Sequence, residues 1–176
     1  AVTTQPANTA VCAGADATFC VTATGTGLTY QWQVSTAGCT GPWADIPGAT
    51  SSCFTATAVS ATANGNAYQC IVSGTCTPAV TTACATLTVN TAAAITAQPV
   101  NTSGCTGGNA TFSVTATGSG LTYNWQVSTD GGVTWNNVSP AATTATLTLT
   151  NVTAAMTNNQ YRCQVKGICP ADIANS

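Results

Sequence analysis

The chain repeats itself, and this repeat restricts the possible folds more than any other feature of the sequence. The stretch "LTYQWQVST" at 28–36 returns as "LTYNWQVST" at 121–129, with one residue changed and a spacing of 93 positions. Prolines, cysteines, tryptophans and tyrosines elsewhere in the two halves recur at the same spacing. Such a period indicates one structural unit used twice. We therefore predict two domains, over residues 1–90 and 91–176.

Each half consists of short segments in which apolar and polar side chains alternate. This period of two is typical of strands with one buried and one solvent-facing side. The many Thr and Val residues also favour strands, because their branched Cβ atoms are stiff. In the first half the alternating segments are 17–23, 28–34, 54–59, 67–72 and 85–89, and in the second half the clearest is 147–152. The pattern predicts an all-β fold built from antiparallel strands.

The order of these segments resembles an immunoglobulin-like β-sandwich in both halves. Each half has a Trp in its third strand, Trp32 or Trp125, and a late Tyr-x-Cys motif, at 68–70 or 161–163. The family's domains have about 100 residues and seven or more short strands. The resemblance implies two tandem immunoglobulin-like antiparallel β-sandwiches.

The sequence departs from the antibody-type subclass at one important position. The family's first cysteine would fall at Val21 and Val114, so the usual disulfide across the sandwich is not expected. A narrower likeness lies in "VCAGADATFCVTATGTGLTYQWQVST" and "YQCIVSGTCTPAV". These stretches resemble the tandem immunoglobulin-like repeats of large secreted surface proteins of Bacteroidetes. That family includes gliding and biofilm adhesins exported by the type IX system, which implies a secreted, adhesive protein.

The composition argues against several classes of function. Only 3% of the residues are charged, the net charge is −2 and histidine is absent, whereas a typical soluble domain carries about 25% charged residues. Such a chain has no electrostatic attraction for nucleic acid, and its apolar runs are too short for a membrane span. Ser or Cys nucleophiles lack an ordinary base. The acids, which a glycosidase would need as a facing pair, are scattered: Asp16, Asp45, Asp130 and Asp172.

One short motif invites an enzymatic interpretation. The stretch "STDGGVTW" at 128–135 fits the Asp-box pattern of sialidase-type propellers. An Asp box is a hairpin turn, in which Asp130 accepts backbone hydrogen bonds and the following Gly-Gly pair adopts positive φ. It supplies no catalytic group, so we interpret this motif as structural.

The ten cysteines indicate an oxidising compartment. They form no CxxC pairs, and in a strand-rich chain of small domains they are better explained as disulfides than as zinc ligands. Several connectivities stay open. The candidate pairs are Cys12–Cys70, its repeat Cys105–Cys163, the cross-strand pair Cys20–Cys53, and Cys76–Cys84, which leaves Cys39 and Cys169 over.

Two further tryptophans, Trp43 and Trp135, follow the hairpin of each half. One interpretation is that they pack against the edge of the sandwich. The other is that they offer a flat face on which a sugar ring can stack, since exposed Trp side chains usually have a role.

The two halves differ at their ends. The first half continues from "CTPAVTTAC" at 76–84 into "ATLTVN" at 85–90, whereas the second ends with "CPADIANS" at 169–176. The second sandwich is therefore expected to lack its own last strand, which leaves an unpaired edge and a gap in its core. Two explanations stay open: the chain is part of a longer repeat array, or a neighbouring copy supplies the strand.

Together these features predict a non-enzymatic extracellular protein, structural or adhesive, whose repeats form a fibre or linear array on or outside the cell. The expected partners are neighbouring repeats or other copies of the chain, with surface glycans as a further partner class. No cofactor or metal is expected. The alternative is a carbohydrate-binding immunoglobulin-like module of a larger secreted enzyme, which would use Trp43 or Trp135.

Overall fold

A computed structural model describes residues 1–76, 78–169 and 173–176. Apart from three 3-10 helices of one turn each, at Gly38–Thr40, Ala61–Ala63 and Ala154–Met156, its regular elements are all β-strands. The all-β prediction is therefore confirmed. The chain divides into two compact units, unit 1 at Ala1–Asn90 and unit 2 at Thr91–Ser176.

Unit 1 is built from ten short strands among its described residues. They are β1 (Val2–Thr4), β2 (Thr9–Cys12), β3 (Ala17–Cys20), β4 (Thr22–Ala23), β5 (Thr29–Ser35), β6 (Ala44–Asp45), β7 (Cys53–Ala56), β8 (Ala67–Ser73), β9 (Val80–Thr81) and β10 (Ala85–Asn90).

The larger sheet of unit 1 has the strand order β2-β10-β8-β5-β6, with β9 also paired to β8. The pairs β3–β7 and β1–β4 form the rest of the sandwich. Strand β10 lies between two neighbours, because it pairs parallel with β2 and antiparallel with β8. Strand β10 therefore connects β2, at the edge of this sheet, to β8 in its middle.

The core of unit 1 surrounds Trp32, which is fully buried on β5. Its indole nitrogen donates a hydrogen bond of 2.9 Å to the Ser51 carbonyl, so the polar atom of the ring is satisfied inside the sandwich. In the same core the rings of Phe19 and Tyr68 stack on each other, with 4.5 Å between their centroids. Leu87 from β10 is 1% exposed and closes the core. The inward positions of β3, β5, β8 and β10 are those that the alternation predicts.

Unit 2 has eight strands among its described residues. They are β11 (Ala94–Ala97), β12 (Ala110–Ser113), β13 (Thr115–Thr117), β14 (Thr122–Ser128), β15 (Asn136–Asn137), β16 (Thr146–Leu149), β17 (Gln160–Lys166) and β18 (Ile173–Asn175). The main sheet has the order β15-β14-β17-β18, and β11–β13 and β12–β16 form two further pairs.

The centre of unit 2 reproduces that of unit 1. Trp125 lies opposite Cys163 in the β14–β17 pair, as Trp32 lies opposite Cys70 in the β5–β8 pair. The indole nitrogen of Trp125 donates to the Thr144 carbonyl at 2.9 Å. The repeat in the sequence is therefore a repeat of the buried core.

The last strand of unit 2 corresponds to β9 and not to β10. Val165 pairs with Ala174 as Val72 pairs with Val80, and the sequence alternation did not predict this strand. The Ser176 hydroxyl accepts from the backbone N–H of Cys163 at 2.6 Å, and Thr82 holds Cys70 in the same way at 2.9 Å.

The described residues of unit 2 contain no counterpart of β10. Residues 102–105, the counterpart of β2, form no strand. A physical reason is that β2 in unit 1 has β10 as its ladder partner, and an isolated strand without a partner is not stable.

Candidate functional site

The Asp-box hairpin of unit 2 is held by the side chain of Asp130. Its carboxylate accepts from the hydroxyl of Thr134 at 2.6 Å and from the backbone N–H groups of Val133 and Thr134 at 3.1 and 2.9 Å. The Ser128 hydroxyl donates to the same carboxylate at 2.7 Å. Hydrogen bonds from Thr134 and Ser128 lower the pKa of Asp130 to about 2. The carboxylate is therefore charged at neutral pH, where it serves the turn and does not donate a proton.

Unit 1 secures the corresponding hairpin by another route. Ala37 stands where unit 2 has Asp130, and a disulfide joins Cys39 in the adjacent 3-10 helix to Cys84. Cys84 directly precedes β10 (Ala85–Asn90). The bridge thus ties the hairpin to the start of the closing strand. Unit 2 has Gly132 at the position of Cys39 and so cannot form this link.

Trp135 is half-buried at the base of the Asp-box hairpin. Its indole nitrogen donates to the Gly132 carbonyl at 3.1 Å, and the Arg162 guanidinium carbon lies 4.3 Å from the ring centroid. A cation over the face of an indole is favourable, so Arg162 occupies one face of this ring. The arrangement supports the interpretation in which Trp135 packs on the sheet, and it leaves a polar group beside the ring.

Trp43 is the half-buried counterpart in unit 1. It packs over Gly41, where an added Cβ atom would lie 3.2 Å from the ring. Since Gly41 also has a φ of +78°, glycine is required there for both conformation and contact. Trp43 therefore belongs to the loop packing of unit 1, and the two tryptophans differ in their surroundings.

The solvent-facing side of each main sheet carries a row of hydrogen-bonded polar side chains. In unit 1, Gln69 donates to Gln33 at 2.7 Å, and Gln33 donates to Asp45 at 2.7 Å. In unit 2, Arg162 donates to Gln126 at 2.8 Å, and Gln126 donates to Asn137 at 3.2 Å. These cross-strand pairs stabilise the sheet and engage side chains that would otherwise be free for a ligand.

The carboxylates of the described Asp residues accept hydrogen bonds from nearby backbone and side-chain groups. Asp16 accepts from the backbone N–H of Ala58 at 2.8 Å, a residue with a φ of +45°. Asp45 and Asp130 have the partners given above, and Asp172 lies outside the described residues. Among the residues that the structure describes, none of the Cys, Asp or Glu side chains form a group of three that could hold a metal ion.

The disulfides agree with the sequence prediction in one case. Cys20 and Cys53 face each other directly in the β3–β7 pair, and the structure bonds them with a Cα–Cα distance of 4.1 Å. Both residues are exposed, so the bridge fastens the outer surface of this strand pair and leaves the core to apolar side chains.

The other expected pairings need correction. Cys70 and Cys163 are free and fully buried, so the pairs Cys12–Cys70 and Cys105–Cys163 do not form. Cys12 lies at the end of β2 opposite Asn90, whereas Cys70 is buried in the core of unit 1 at the position paired with Trp32. Burial raises the pKa of both core thiols.

The pair Cys76–Cys84 is also corrected, because Cys84 bonds to Cys39 and Cys76 is free and exposed. The sequence leaves Cys39 without a partner. Its bond to Cys84 was missed because Cys39 lies in a loop whose position the strand pattern does not specify. Cys105 is free and exposed, whereas Cys12 and Cys169 each have a partner.

Two clefts of unit 2 are called the open edge below. We use this name for the clefts between segment 98–104 and strand β17 of unit 2, with volumes of about 310 and 460 Å³. Phe112 and Tyr161 line both clefts and are half-buried, whereas their counterparts Phe19 and Tyr68 are only 1% and 5% exposed. The alternation in the sequence does not identify the residues around these clefts.

The fold and these features define tandem immunoglobulin-like sandwiches. The chain belongs to the family described as "Domain of unknown function (DUF8696)", which matches residues 1–91 and again 93–176. Each unit therefore corresponds to one family domain, and the internal repeat is a repeat of that domain.

Solved structures show the same fold across the whole chain. The titin I-band fragment I67–I69 superposes with a TM-score of 0.69 at 17% identity, covering 100% of this chain and 62% of that one. The Rst D1-D2 structure gives a TM-score of 0.63 at 17% identity and covers 100% and 95%. For DIP-gamma IG1+IG2 the TM-score is 0.62 at 13% identity, with 100% and 93% covered. The immunoglobulin-like prediction is confirmed.

One relative carries the name of an enzyme. The chain is 34% identical over 164 residues to Endoglucanase C of Cellulomonas fimi. The match covers 92% of this chain but only 14% of the length of the endoglucanase.

Proposed function

We propose that the chain is a non-enzymatic structural or adhesive segment of a secreted protein, in which these immunoglobulin-like units form links of a linear array. The observation that carries the proposal is the tandem repetition of one family domain over residues 1–91 and 93–176. Repeated domains that contact only their neighbours build extended objects whose length grows with the number of units.

The polar groups of the units support a structural role. The carboxylates of Asp16, Asp45 and Asp130 each serve a turn or a cross-strand contact. Arg162 is engaged by Gln126 and by the ring of Trp135. These side chains stabilise backbone turns and sheet surfaces, and that is their function in this proposal.

An extracellular location follows from the cysteine chemistry. The bridges Cys20–Cys53 and Cys39–Cys84 involve exposed or half-buried cysteines, which cytosolic reductants would keep as thiols. The helices of the described residues are single turns, far short of the length and hydropathy of a membrane span. We propose secretion to the cell surface. The likeness to Bacteroidetes surface repeats favours the type IX route, which loss of secretion in a type IX export mutant would test.

The linear array is tested by constructing chains with two, four and six consecutive units and measuring their maximum dimension by small-angle X-ray scattering. We expect the dimension to increase in proportion to the number of units, at about 40 Å for each domain of this size. A dimension that stays nearly constant as units are added would show that the units collapse onto each other, which contradicts the proposal.

A second function is favoured by the match to a segment of Endoglucanase C. In this alternative the chain is a carbohydrate-binding module, and Trp135 with the adjacent Arg162 forms the contact for a sugar ring. Aromatic faces beside polar groups are a usual way to fix a sugar. Binding to a glycan array that is lost in Trp135→Ala and retained in Trp43→Ala would support this alternative, and the absence of binding would remove it.

A further inference from the structure

The two cationic side chains of the sequence lie on one side of one strand. Arg162 and Lys166 make up the whole Lys and Arg content of the chain, and both belong to β17. Cys163 and Val165 between them are fully buried, so the even-numbered residues of β17 face solvent. All the positive side-chain charge of the protein is therefore concentrated on the solvent-facing side of the main sheet of unit 2.

The corresponding side of unit 1 has no cation and one acid. Gln69 and Ser73 stand 93 positions before the two cations. Asp45 stands in β6 where unit 2 has Asn137 in β15, since each pairs with the corresponding glutamine of the central strand. Because the β5–β8 and β14–β17 registers agree, the difference in charge comes from these side chains. Unit 1 is therefore an internal reference that has the same sheet and lacks the cations.

Arg162 is held in place by neutral neighbours. Its Nε donates to the side-chain oxygen of Gln126 at 2.8 Å, and its guanidinium carbon lies 4.3 Å from the ring centroid of Trp135. This hydrogen bond uses one of the five N–H groups of a guanidinium. Nη1 and Nη2 can therefore bind a carboxylate through two parallel hydrogen bonds, and little side-chain entropy is lost because the group is already fixed.

The amides beside Arg162 have used acceptor atoms and keep donors. The side-chain oxygen of Asn137 accepts from Asn124 at 2.9 Å and from Gln126 at 3.2 Å. The side-chain oxygen of Gln164 accepts from Asn124 at 3.5 Å. A carboxamide has two N–H donors besides its acceptor oxygen, so the amide N–H groups of Asn137 and Gln164 can donate to a ligand. Together with the cations they give this side of the sheet an excess of donors.

The separation of the two cations determines the size of the ligand. Four residues of a strand extend over about 13 Å. Arg162 lies against Trp135 at the hairpin end of the sheet, whereas Lys166 lies opposite Thr122 at the other end. A small anion cannot contact both cations. A polymer with anionic groups repeated along its length can do so, and its hydroxyl oxygens can accept from the amides beside them.

We infer that this side of β14, β15 and β17 binds a polysaccharide with carboxylate groups, which Arg162 contacts at one end of the sheet and Lys166 at the other. We call this surface the cationic face, and it consists of Arg162, Lys166, Asn124, Gln126, Asn137 and Gln164. The acceptor oxygens of a uronic-acid polymer match its donors, and opposite charges favour the encounter. Nucleic acid is a poorer match, because its binding domains are strongly basic and this chain has a net charge of −2.

A carboxylated ligand gives the adhesive function proposed above its target class, and this inference rests on that function for its purpose. The array is measured on chains of many units and ligand binding on the single chain, so either can fail without the other. The carbohydrate-binding alternative is also distinguishable, because a sugar ring stacked on Trp135 needs no carboxylate. Equal binding of neutral and carboxylated polymers would keep that alternative and remove the inference.

The probe is polygalacturonate, and its methyl-esterified form is the matched neutral polymer with the same backbone. Each polymer is immobilised, and binding of the whole chain is measured by biolayer interferometry at low ionic strength and at about 0.15 M salt, which screens exposed charges. We expect binding to polygalacturonate that weakens with added salt. Binding to the esterified polymer should be weaker by about 10-fold or more, because the charged hydrogen bonds are lost.

Substitutions copied from unit 1 separate the charge from the fold. Arg162→Gln should weaken binding to polygalacturonate about 5- to 10-fold through loss of charged hydrogen bonds. Lys166→Ser should weaken it about 2- to 5-fold, because an exposed charge pair contributes less. Thermal unfolding shows whether each variant remains folded. The matched control Gln69→Ala, at the counterpart of Arg162 in unit 1, should leave the affinity unchanged.

A transfer of the cations tests the inference in the opposite direction. The triple variant Asp45→Asn, Gln69→Arg and Ser73→Lys should give unit 1 a second site and raise the amount of chain bound at saturation per carboxylate-bearing segment. No binding to polygalacturonate, or unchanged binding in the double variant Arg162→Gln/Lys166→Ser, would overturn the inference. Binding of single-stranded DNA with the same affinity would also overturn it, because the cationic face would then attract any polyanion.

Discussion

Removing the Cys39–Cys84 disulfide is the change whose effect can be worked out most fully from the structure. Cys39 lies in the hairpin loop, and Cys84 directly precedes β10 (Ala85–Asn90), which buries Leu87. The variant Cys39→Ser/Cys84→Ser frees the hairpin from the start of this strand. Because Cys39 is exposed and Cys84 only half-buried, the serine hydroxyls are tolerated and the main effect is loss of the cross-link.

The magnitude follows from the length of the loop that the bridge closes. The two cysteines are 45 positions apart, and the chain-entropy relation assigns a loop of this size about 4 kcal/mol at 25 °C. A single domain has a total stability of about 5–15 kcal/mol. Unit 1 should therefore lose a large share of its free energy of unfolding, with β10 opening first.

Hydrogen–deuterium exchange read by mass spectrometry measures this effect separately for the two units. We expect the amides of β10 and β8 (Ala67–Ser73) to exchange much faster in the variant, while those of unit 2 keep their protection. The matched control Cys20→Ser/Cys53→Ser removes a bridge with a separation of 33, and its loss should not favour the opening of β10 over the rest of unit 1. Unchanged exchange in β10, or equal losses of protection in both units, would show that the bridge does not hold the closing strand of unit 1.

Three further outcomes are expected. Hydrogen bonds hold the pKa of Asp130 at about 2, below its unfolded value of about 3.9. Its contribution to the stability of unit 2 is therefore present above pH 4 and is lost as the pH falls through 2. Asp130→Asn should remove this pH dependence from thermal unfolding between pH 5 and 2, and an unaltered profile would contradict it. Cys76 and Cys105 should be alkylated in the folded protein, whereas Cys163 should react only after unfolding, as peptide mapping would show; rapid labelling of Cys163 in the native protein would contradict its burial. Val114→Cys should oxidise with Cys163 across the core and raise the stability of unit 2 by up to about 4 kcal/mol, and a variant that keeps both thiols free would count against the core packing.

The repeated strands could be predicted because their alternation is strong. Thr29–Ser35 and Thr122–Ser128 carry an inward Trp between polar neighbours, and the structure places both in the centre of their sheets. The short strands Val80–Thr81 and Ile173–Asn175 were missed. They have too few residues for a pattern, and their position depends on the long strand with which they pair.

The cysteines illustrate the same limit. Cys20 and Cys53 lie on strands that neighbour each other in an immunoglobulin-like sheet, so their bond could be anticipated. Cys39 lies in a loop, and its approach to Cys84 depends on three-dimensional loop geometry that no alternation encodes. Cys70 was assigned a partner because cysteines were counted as pairs, yet it behaves as a small apolar core residue.

The residues of the open edge were missed although a signal for them exists. The segment "QPAN" returns as "QPVN", and neither copy carries an apolar alternation or a charged group that would attract attention. Its role became evident only when unit 1 showed Gln5 and Asn8 bonded to the closing strand.

Electron microscopy of the native secreted material, with an antibody against this chain as a label, shows whether the units are links in an array. If they are, the label recurs at regular intervals along extended filaments or appendages. Label confined to isolated compact particles would contradict it, because the units would then not be links in an array.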